Sequence, residues 1–484
     1  MSKSKGRLEG YVREFGKDFS TDGRNIYCKA CGINISCELK SSVRQHTLTS
    51  KHRINAEKAH RQQQLLNEAS AGTEDFSYDV CSELLSADIP LYKLKHPKVR
   101  HILESPYRCR SLLEESTLRK VKVKQCYTAV MESIRAAIGE SHIWCSVDES
   151  TDSMGRYVAN CMVGALQERP SDCYLLNAEE IPATNHQTIT KFLVDSLNLL
   201  WPEGLQNDRV LLFISDAAPY MVKSGKALSA LFPRMTHVTC LAHALHRVSE
   251  TVRHSYPIVD KLIASVKQVF VKSNKRLQLL KELAPDLPAP PQPVLTRWGS
   301  WISAAIYYAR HQEEVKVVLT ALNPNDAVAI KQAQEAIANP NIRADLAYIN
   351  AHFGRIPEAI EHLEARNLTL QQSLGIINNV QEGLSAVSTG VALVAKQKLE
   401  ALLAKNTGLV AIREVAEALG GEQGNPDAKI PLTTAVFFKH APLTSCDVER
   451  SFSMYKNVLT DRRHSFKFEH LKWTLISKCN HKLL

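Results

Sequence analysis

The sequence predicts an α/β fold with a small metal-binding module at its N-terminus and an all-helical insertion within its core. Three observations support this prediction. Short apolar runs alternate with amphipathic helical patterns over residues 140–300. Strand patterns then stop, and helical patterns follow one another to residue 430. Two cysteines and two histidines near the N-terminus have the spacing of metal ligands. We therefore predict five regions: the module (1–65), a second helical region (66–139), the first part of the core (140–300), the insertion (301–430) and the last part of the core (431–484).

The composition is that of an ordinary globular protein. Hydrophobic residues make up 44% and charged residues 23% of the 484 positions. No apolar run reaches the roughly 18 residues of a membrane span, so no membrane partner is expected. The N-terminus lacks the apolar segment of a secretory signal. We therefore expect a cytosolic or nuclear protein whose 12 cysteines are reduced thiols or metal ligands.

A tetrahedral zinc site is predicted in the first 65 residues. Cys28 and Cys31 form a Cys-x2-Cys pair, and His46 and His52 follow as a His-x5-His pair. Two thiolates from a tight turn and two imidazoles from one face of a helix would complete the ligands of Zn²⁺. Because so short a segment cannot bury a core of its own, metal binding would supply the free energy of folding. The alternative is a chance spacing of these residues.

Positive charge is concentrated in the same region. Residues 1–61 contain thirteen Lys and Arg against six Asp and Glu, a net charge of +7 out of +10 for the whole chain. Lys40, Arg44, Lys51 and Arg53 lie on or beside the helix that is predicted to carry the histidines. Such a helix can enter the major groove of DNA while its basic residues contact phosphates. A solvated basic tail is the alternative interpretation.

Five buried strands are predicted in the core. Three of them follow one another and the remaining two alternate with helices, which is the order of the RNase H-like fold. In that fold the first strand is central, and the fourth strand lies beside it in parallel. One of the helices between the strands is predicted at 186–200. The strands are predicted at 143–150, 157–166, 173–181, 210–216 and 235–240.

Three acidic residues are candidates for a second metal site. Asp148 lies near the end of the first strand and Asp216 at the end of the fourth, so the fold would make them neighbours. Neighbouring carboxylates repel one another unless a divalent cation lies between them, and hard oxygen ligands favour Mg²⁺. The third carboxylate would come from the helical pattern at 442–457, where Asp447 and Glu449 are the candidates. Two such ions would activate a water molecule and stabilise the departing oxygen in phosphodiester chemistry.

Each acidic residue also has a purely structural interpretation. Asp216 precedes a helix and could be its N-cap. Asp148 could be a turn residue at the end of a strand, and Glu449 could form a surface ion pair with Arg450. Asp152 is a second candidate close to Asp148. The decisive question is whether the carboxylates meet in the fold.

Several sequence blocks resemble known families. The cysteine and histidine region resembles a BED-type zinc finger, and residues 12–105 are similar to the CGG triplet repeat-binding protein. Five further blocks resemble the hAT superfamily of DNA transposases over residues 140–484: WCSVDESTD, FISDAAPYM, CLAHALHRV, TRWGSW and PLTSCDVERSFS. This resemblance implies metal-dependent cleavage and transfer of DNA strands at transposon ends.

The hAT resemblance also implies roles for individual residues. Asp148, Asp216 and Glu449 match the family's catalytic DDE site, which binds Mg²⁺ or Mn²⁺. Two further pairs match residues that lie near that site and near the DNA end, respectively: Cys240 with His243, and Arg297 with Trp298.

Partners and a compartment are implied in the same way. The DNA partners would be terminal inverted repeats and target DNA, and the protein would be nuclear and at least a dimer. Residues 66–139 would then bind DNA or support dimerisation, and residues 431–484 would include a dimerisation region. The alternative function is that of a domesticated descendant, which binds DNA as a transcription or chromatin regulator without catalysis.

The C-terminal region carries two structural expectations. Residues 430–442 are predicted to return to the sheet after the insertion. Apolar side chains further on could face a partner subunit or could pack on their own domain: Leu459, Phe466, Leu471 and Trp473.

Overall fold

Residues Met1–Cys126 and Tyr127–Leu484 form two units in the computed structural model. No helix in the described part of the chain is long and apolar enough to cross a lipid bilayer. The description leaves out the side chains of residues 59–75 and the whole of residues 1–7, 9, 13, 17, 22–24, 36–39, 105–111, 272, 294–298, 388, 422–428 and 460–466.

A small antiparallel sheet opens the N-terminal unit, with strands β1 (Phe19–Thr21), β2 (Ile26–Cys28) and β3 (Ile33–Ile35) in that spatial order. Apolar side chains of this sheet pack together with Val43 of the helix that follows it, and little of their surface is exposed to water. Cys28, which ends β2 and pairs with Phe19 and Ile33, therefore belongs to a small core that is shielded from water. This core contains Phe19, Ile26, Ile35 and Val43.

Two helices follow the small sheet, α1 (Lys40–Thr47) and α2 (Ser50–Ser86). The prediction that His46 and His52 come from one helix is wrong, because α1 ends between them. In one continuous helix, side chains six residues apart would point about 120° away from each other. Thr49 links the two helices: its hydroxyl donates to the carbonyl of His46 (2.8 Å) and accepts from the amide of His52 (3.2 Å).

The rest of the N-terminal unit is helical where it is described. Helix α2 packs against a π-helical turn that precedes the last helix. The last helix continues into the second unit. The elements are a 3₁₀ turn (Leu91–Lys95), α3 (Pro97–Glu104), α4 (Glu115–Thr117), the π-helical turn (Leu118–Lys122) and α5 (Val123–Ile138).

A five-stranded mixed sheet forms the centre of the second unit. Its strands are β4 (His142–Thr151), β5 (Tyr157–Leu166), β6 (Cys173–Ile181), β7 (Val210–Ser215) and β8 (Thr236–Thr239). Their spatial order is β6-β5-β4-β7-β8. Strands β4 to β6 are antiparallel, whereas β7 lies parallel to β4 and β8 lies parallel to β7. All six residues of β7 are buried, as its continuous apolar run predicts. The predicted α/β class is confirmed.

Helices alternate with the last strands and then continue beyond them. The first of these helices starts where the side chain of Asn185 accepts hydrogen bonds from the amides of Gln187 and Thr188 (both 3.0 Å). This N-cap explains why the predicted bounds agree with the observed ones. The helices are α6 (His186–Leu200), α7 (Pro219–Leu231), α8 (Leu241–Ser255), α9 (Pro257–Phe270) and α10 (Asn274–Leu283).

The insertion consists of helices joined by short turns wherever it is described. Its last helix packs on β8, and at Gly408 a side chain would collide with the carbonyl oxygen of His237. Glycine is therefore needed for this close approach. The helices are α11 (Ser300–Arg310), α12 (Gln312–Thr320), α13 (Val328–Ile337), α14 (Ile342–Phe353), α15 (Arg355–Leu363), α16 (Leu370–Ser385), α17 (Gly390–Lys405) and α18 (Thr407–Leu419).

The predicted return to the sheet after the insertion is wrong in one respect, because the described residues there add no strand. They form a short helix, α19 (Leu432–Ala435), and a 3₁₀ turn. The buried positions Ala435, Phe438 and Ala441 are three residues apart, which is a helical spacing. The segment still reaches the sheet, since the rings of Phe437 and His142 lie 5.2 Å apart.

Two final helices, α20 (Cys446–Val458) and α21 (Phe468–Cys479), complete the second unit. Leu459, Leu471 and Trp473 are at least nine-tenths buried within it. These three side chains pack on their own domain and do not form an exposed surface for a partner. Phe466, the fourth member of that predicted surface, lies outside the described residues.

Each edge of the large sheet is paired with the side chain of an asparagine. Asn406 accepts from the amide of Thr239 on β8 (3.0 Å) and donates to its carbonyl (2.9 Å). Asn480 accepts from the amide of Leu175 on β6 (3.0 Å) and donates to its carbonyl (2.9 Å). A side-chain amide thus occupies the place of a neighbouring strand at one point on each edge.

Candidate metal centres

The predicted zinc ligands of the N-terminal unit are brought together. Cys28 ends β2, Cys31 lies in the following turn, and the two histidines come from α1 and α2. One ligand atom from each of Cys28, Cys31, His46 and His52 lies within 4.8 Å of the others. Nδ1 of His52 is 3.3 Å from the sulfur of Cys28 and 3.6 Å from that of Cys31. This group could hold a zinc ion.

The lowered pKa of His46 fits a metal ion, whereas burial in the absence of a metal disfavours the thiolate of Cys28. Burial raises the pKa of the Cys28 thiol, and burial together with the neighbouring His52 lowers the pKa of His46. Nε2 of His46 is buried and has no hydrogen-bond partner among the described residues. A neutral imidazole with an unshared nitrogen is the form that binds zinc. The stacked ring of Phe19, 5.6 Å from that of His52, holds the second histidine in place.

The predicted DNA-contacting residues of the finger are exposed on the two histidine-bearing helices. They are Lys40 and Arg44 on α1, and Lys51 and Arg53 on α2. Lys40 forms an ion pair with Glu14 (2.7 Å). These four side chains lie on the same two helices as the histidines. A metal bound by the histidines would therefore also fix their positions.

A second candidate centre lies at the ends of two neighbouring parallel strands. Ser146 of β4 pairs with Ile214 of β7, so Asp148 and Asp216, each two residues further on, stand at the same height. Parallel strands are about 4.8 Å apart. Asp216 is not the helix cap, because Ala218 occupies that position without a side-chain hydrogen bond. Oδ1 of Asp216 accepts a hydrogen bond from the amide of Ala218 (3.1 Å), which leaves Oδ2 of Asp216 for another ligand.

Glu449 reaches the same place from α20. It lies in the first turn of that helix, which packs on β4 and β5. The charge of Glu449 acts on Asp148, so the side chain from the helix and the side chain from the strand are neighbours. The three carboxylates predicted from separate parts of the sequence therefore meet, although their oxygens do not all approach within 4.8 Å among the described residues.

Burial and the repulsion between carboxylates act together at this acidic site. Burial, the hydrogen bond with Glu449 and the charges of Glu449, Glu149 and Asp216 together hold the pKa of Asp148 well above its usual range. No Lys or Arg of the described chain forms an ion pair with Asp148, Asp216 or Glu449. A buried carboxylate beside two partly exposed ones, none of them paired with Lys or Arg, fits a divalent cation with oxygen ligands.

Two nearby aspartates show the contrast. Asp152 is bound by the guanidinium of Arg156 (2.8 Å) and by the hydroxyl of Tyr455 (2.9 Å). Asp447 lies between the guanidinium groups of Arg366 (3.0 Å) and Arg450 (2.9 Å). Because both carboxylates are neutralised by arginine, neither is available as a third metal ligand.

Cys240 and His243 connect the sheet to the start of α20. The sulfur of Cys240 accepts a hydrogen bond from the amide of Ser445 (3.3 Å), and Nε2 of His243 lies 3.8 Å from Oε1 of Glu449. Burial acts to raise the pKa of Cys240, but the imidazole of His243 and the hydrogen bonds from Ser445 outweigh it and lower that pKa. For His243, burial is outweighed by Cys240, Glu449 and Asp216, and the pKa is raised. Each member of the pair thus favours the charged form of the other, and Nε2 of His243 lies towards Glu449.

Sequence reasoning missed two residues at this site. Glu149 is largely buried and its pKa is raised by burial and by the charges of Asp216 and Glu449, although a hydrogen bond from the hydroxyl of Tyr220 opposes the shift. Its Oε2 has no hydrogen-bond partner among the described residues. Both residues stand inside the resembling blocks, beside Asp148 and shortly after Asp216, but nothing in their spacing indicated that they touch.

The predicted DNA-end residues Arg297 and Trp298 lie outside the described residues. The structure does describe Trp301, three residues further on. Its indole Nε1 donates to Oδ1 of Asp260 (2.9 Å), and the ring is buried against α9. Trp301 is therefore a core residue at the start of α11.

The centre of the chain matches a known domain family. No curated protein matches the chain. Residues 112–269 match the profile of a domain of unknown function, DUF659. The matched stretch contains the five-stranded sheet and, with it, Asp148, Asp216, Cys240 and His243. DUF659 is a domain found in hAT-family transposase-like proteins, so the centre of this chain is transposase-like in sequence.

Proposed function

We propose that this protein is a hAT-type DNA transposase that binds transposon ends and performs metal-dependent cleavage and transfer of DNA strands. The observation that carries the proposal is the meeting of Asp148, Asp216 and Glu449. Asp148 and Asp216 stand at the ends of two neighbouring strands, Glu449 comes from a helix that follows a long insertion, and no Lys or Arg of the described chain forms an ion pair with any of the three.

The sheet supports an RNase H-like core. Three antiparallel strands are followed by two parallel strands, and the first and fourth strands are neighbours. Chemistry in open α/β sheets is typically found where the carboxyl ends of neighbouring strands meet, which is where Asp148 and Asp216 stand. The matched DUF659 stretch covers the same strands.

Each carboxylate has a role in the proposed reaction. Asp148 and Asp216 would bind Mg²⁺ or Mn²⁺ from the sheet, and Glu449 would bind it from α20. A bound cation would supply an activated water molecule or hydroxyl and would stabilise the departing oxygen. Hydrolysis of a phosphodiester yields a 3′-hydroxyl and a 5′-phosphate. Attack of that 3′-hydroxyl on target DNA forms one new phosphodiester and breaks another, so strand transfer consumes no further reactant.

The N-terminal unit supports the DNA-binding part of the proposal. The cysteine and histidine group would hold a structural zinc ion in a BED-type finger. Lys40, Arg44, Lys51 and Arg53 are exposed on its helices and would contact phosphates of the terminal repeats. Because two transposon ends must be held together, the protein would act as at least a dimer, in the nucleus.

Cleavage of a labelled transposon-end duplex tests the catalytic assignment. D148N, D216N and E449Q are expected to reduce cleavage in Mg²⁺ or Mn²⁺ by about 10³-fold or more, because each removes a charged ligand, while the binding of the duplex persists. D447N is the matched control, since Asp447 lies on the same helix but is engaged by arginines. It is expected to cleave like the wild type.

Two results would contradict this proposal. Full cleavage by any of the three variants would remove that residue from the site. Wild-type protein that binds end duplexes but cleaves none, in either metal, would favour a DNA-binding regulator descended from a transposase.

A further inference from the structure

One buried hydrogen bond joins the strand opposite Asp148 to the helix that carries Glu449. Nδ2 of Asn160, on β5, donates to Oγ of Ser451 on α20 (2.7 Å). Oγ of Ser451 in turn donates to the carbonyl of Val448 (2.6 Å), so its orientation is fixed. Asn160 is 0% and Ser451 3% exposed.

Both ends of this bond lie next to a candidate metal ligand. Asn160 is the direct partner of Asp148 in the antiparallel register, so their side chains share one face of the sheet with Cβ atoms about 5 Å apart. Ser451 follows Glu449 by two residues on α20. The bond therefore ties two ligands that are far apart in the chain, one through its cross-strand neighbour and one through its helix.

We propose that Asn160 is a positioning residue of the acidic site, which holds α20 where Glu449 reaches Asp148. This proposal rests on the proposed function, since it concerns the same site. Removal of a residue that orients metal ligands without binding the metal itself typically weakens metal affinity by about 10- to 100-fold. Ser451 is its partner in this role, and loss of either side chain removes the same link.

The opposite face of the sheet offers a matched arrangement without a nearby acidic site. Nδ2 of Asn177, on β6, donates to Oγ of Ser196 on α6 (3.0 Å), and Ser196 donates to the carbonyl of Phe192 (2.6 Å). Cys161 follows Asn160 on β5, so its side chain points to the opposite face of the sheet. Asn177 pairs with Cys161 and therefore lies on that opposite face. Both members are buried. Nδ2 of Asn177 also donates to Oε2 of Glu179 (3.4 Å), so removal of this side chain measures the structural cost of losing such a link at its upper bound.

The test compares N160L, S451A, N160L/S451A and N177L in the full-length, zinc-loaded protein. Mn²⁺ is the probe. Its dissociation constant is measured by calorimetry, with D148N used to identify the site, and the Mn²⁺ concentration for half-maximal cleavage of an end duplex is measured in parallel. We expect N160L and N177L to lower the melting temperature similarly. Only N160L and S451A are expected to weaken Mn²⁺ binding, by about tenfold or more.

The double variant tests whether the two residues act through one bond. N160L/S451A is expected to bind Mn²⁺ no more weakly than N160L alone, because the link is already lost. Additive losses, or equal Mn²⁺ affinity in N160L and N177L, would overturn the positioning role while leaving the proposed function intact. Wild-type protein without a Mn²⁺ site that depends on Asp148 would instead overturn the proposed function, and the role of Asn160 with it.

Discussion

At the residue scale, Asp148 is the member of the acidic site on which burial and charge repulsion act together. Burial disfavours its charged form, and the carboxylates of Glu449, Glu149 and Asp216 act in the same direction. A carboxyl whose pKa is raised on folding binds its proton more tightly in the folded than in the unfolded protein. Its contribution to stability therefore decreases as the pH rises above the ordinary value of 3.8 and through the raised folded-state pKa.

D148N is accordingly expected to stabilise the protein at neutral pH when neither Mg²⁺ nor Mn²⁺ is present. The amide keeps a hydrogen-bonding group beside Glu449 but carries no charge, so it avoids about 1.4 kcal/mol for each unit by which the pKa of Asp148 is raised. Urea unfolding at pH 8 and pH 4 checks this, with D148N compared with the wild type at each pH so that loss of zinc at pH 4 affects both proteins alike. The advantage of D148N should be large at pH 8 and should shrink towards pH 4. An advantage that is equal at both pH values would show that charge is not its cause.

Single residues also show how far the sequence could identify the site. The sequence predicts Asp148 and Asp216 because they stand at or near the ends of buried strands, and it predicts Glu449 because a helical block there resembles the hAT family. Spacing alone does not favour Glu449 over Asp447, because both lie in the first turn of α20. The choice depends on Arg366, which approaches Asp447 from the insertion. Contacts across such sequence distances leave no local pattern.

At the scale of elements, strands and helices with strong local signals were predicted closely. The β7 run is apolar from Val210 to Ile214, and α6 begins at a side-chain cap. The errors arose where a local signal was ambiguous. The apolar residues after the insertion were interpreted as part of the sheet although their spacing is helical, and the break at Thr49 depends on hydrogen bonds of one hydroxyl.

The asparagines at the sheet edges give a prediction at this scale. N406L and N480L are each expected to reduce the free energy of unfolding by about 1–3 kcal/mol, because a strand amide and carbonyl lose their partner in a buried setting. Asn378, exposed on α16, is a control position where leucine should change stability by less than about 0.5 kcal/mol. Chemical denaturation measures all three. A loss below that of the control at either edge would mean that water replaces the asparagine there.

At the scale of the whole molecule, the two candidate metal centres lie in different units of the chain. The N-terminal centre has sulfur and nitrogen ligands, which favour zinc, whereas the second has only carboxylates, which favour Mg²⁺ or Mn²⁺. Each centre can therefore be emptied without direct effect on the ligands of the other. The proposed division of labour is DNA recognition by the first and strand chemistry by the second.

C28S separates these two activities. Loss of one thiolate is expected to release zinc and to weaken binding of the end duplex by about tenfold or more, because the basic helices lose their fixed positions. Mn²⁺ binding at the acidic site should stay unchanged. Zinc content, duplex affinity and Mn²⁺ calorimetry measure these effects, with C479S in the second unit as a control. Unchanged duplex affinity in zinc-free C28S would refute the role of the finger.

The helix break at Thr49 has a mechanical consequence. Because His46 and His52 belong to separate helices, a single ion bound by both would fix the angle between α1 and α2. Helix α2 has 37 residues, which corresponds to a length of about 55 Å. A rotation of roughly 10° at its first turn would move its far end by roughly 10 Å. Zinc bound by both histidines would thus set the direction of a long helix, whose far end carries the buried side chains of Cys81 and Leu85.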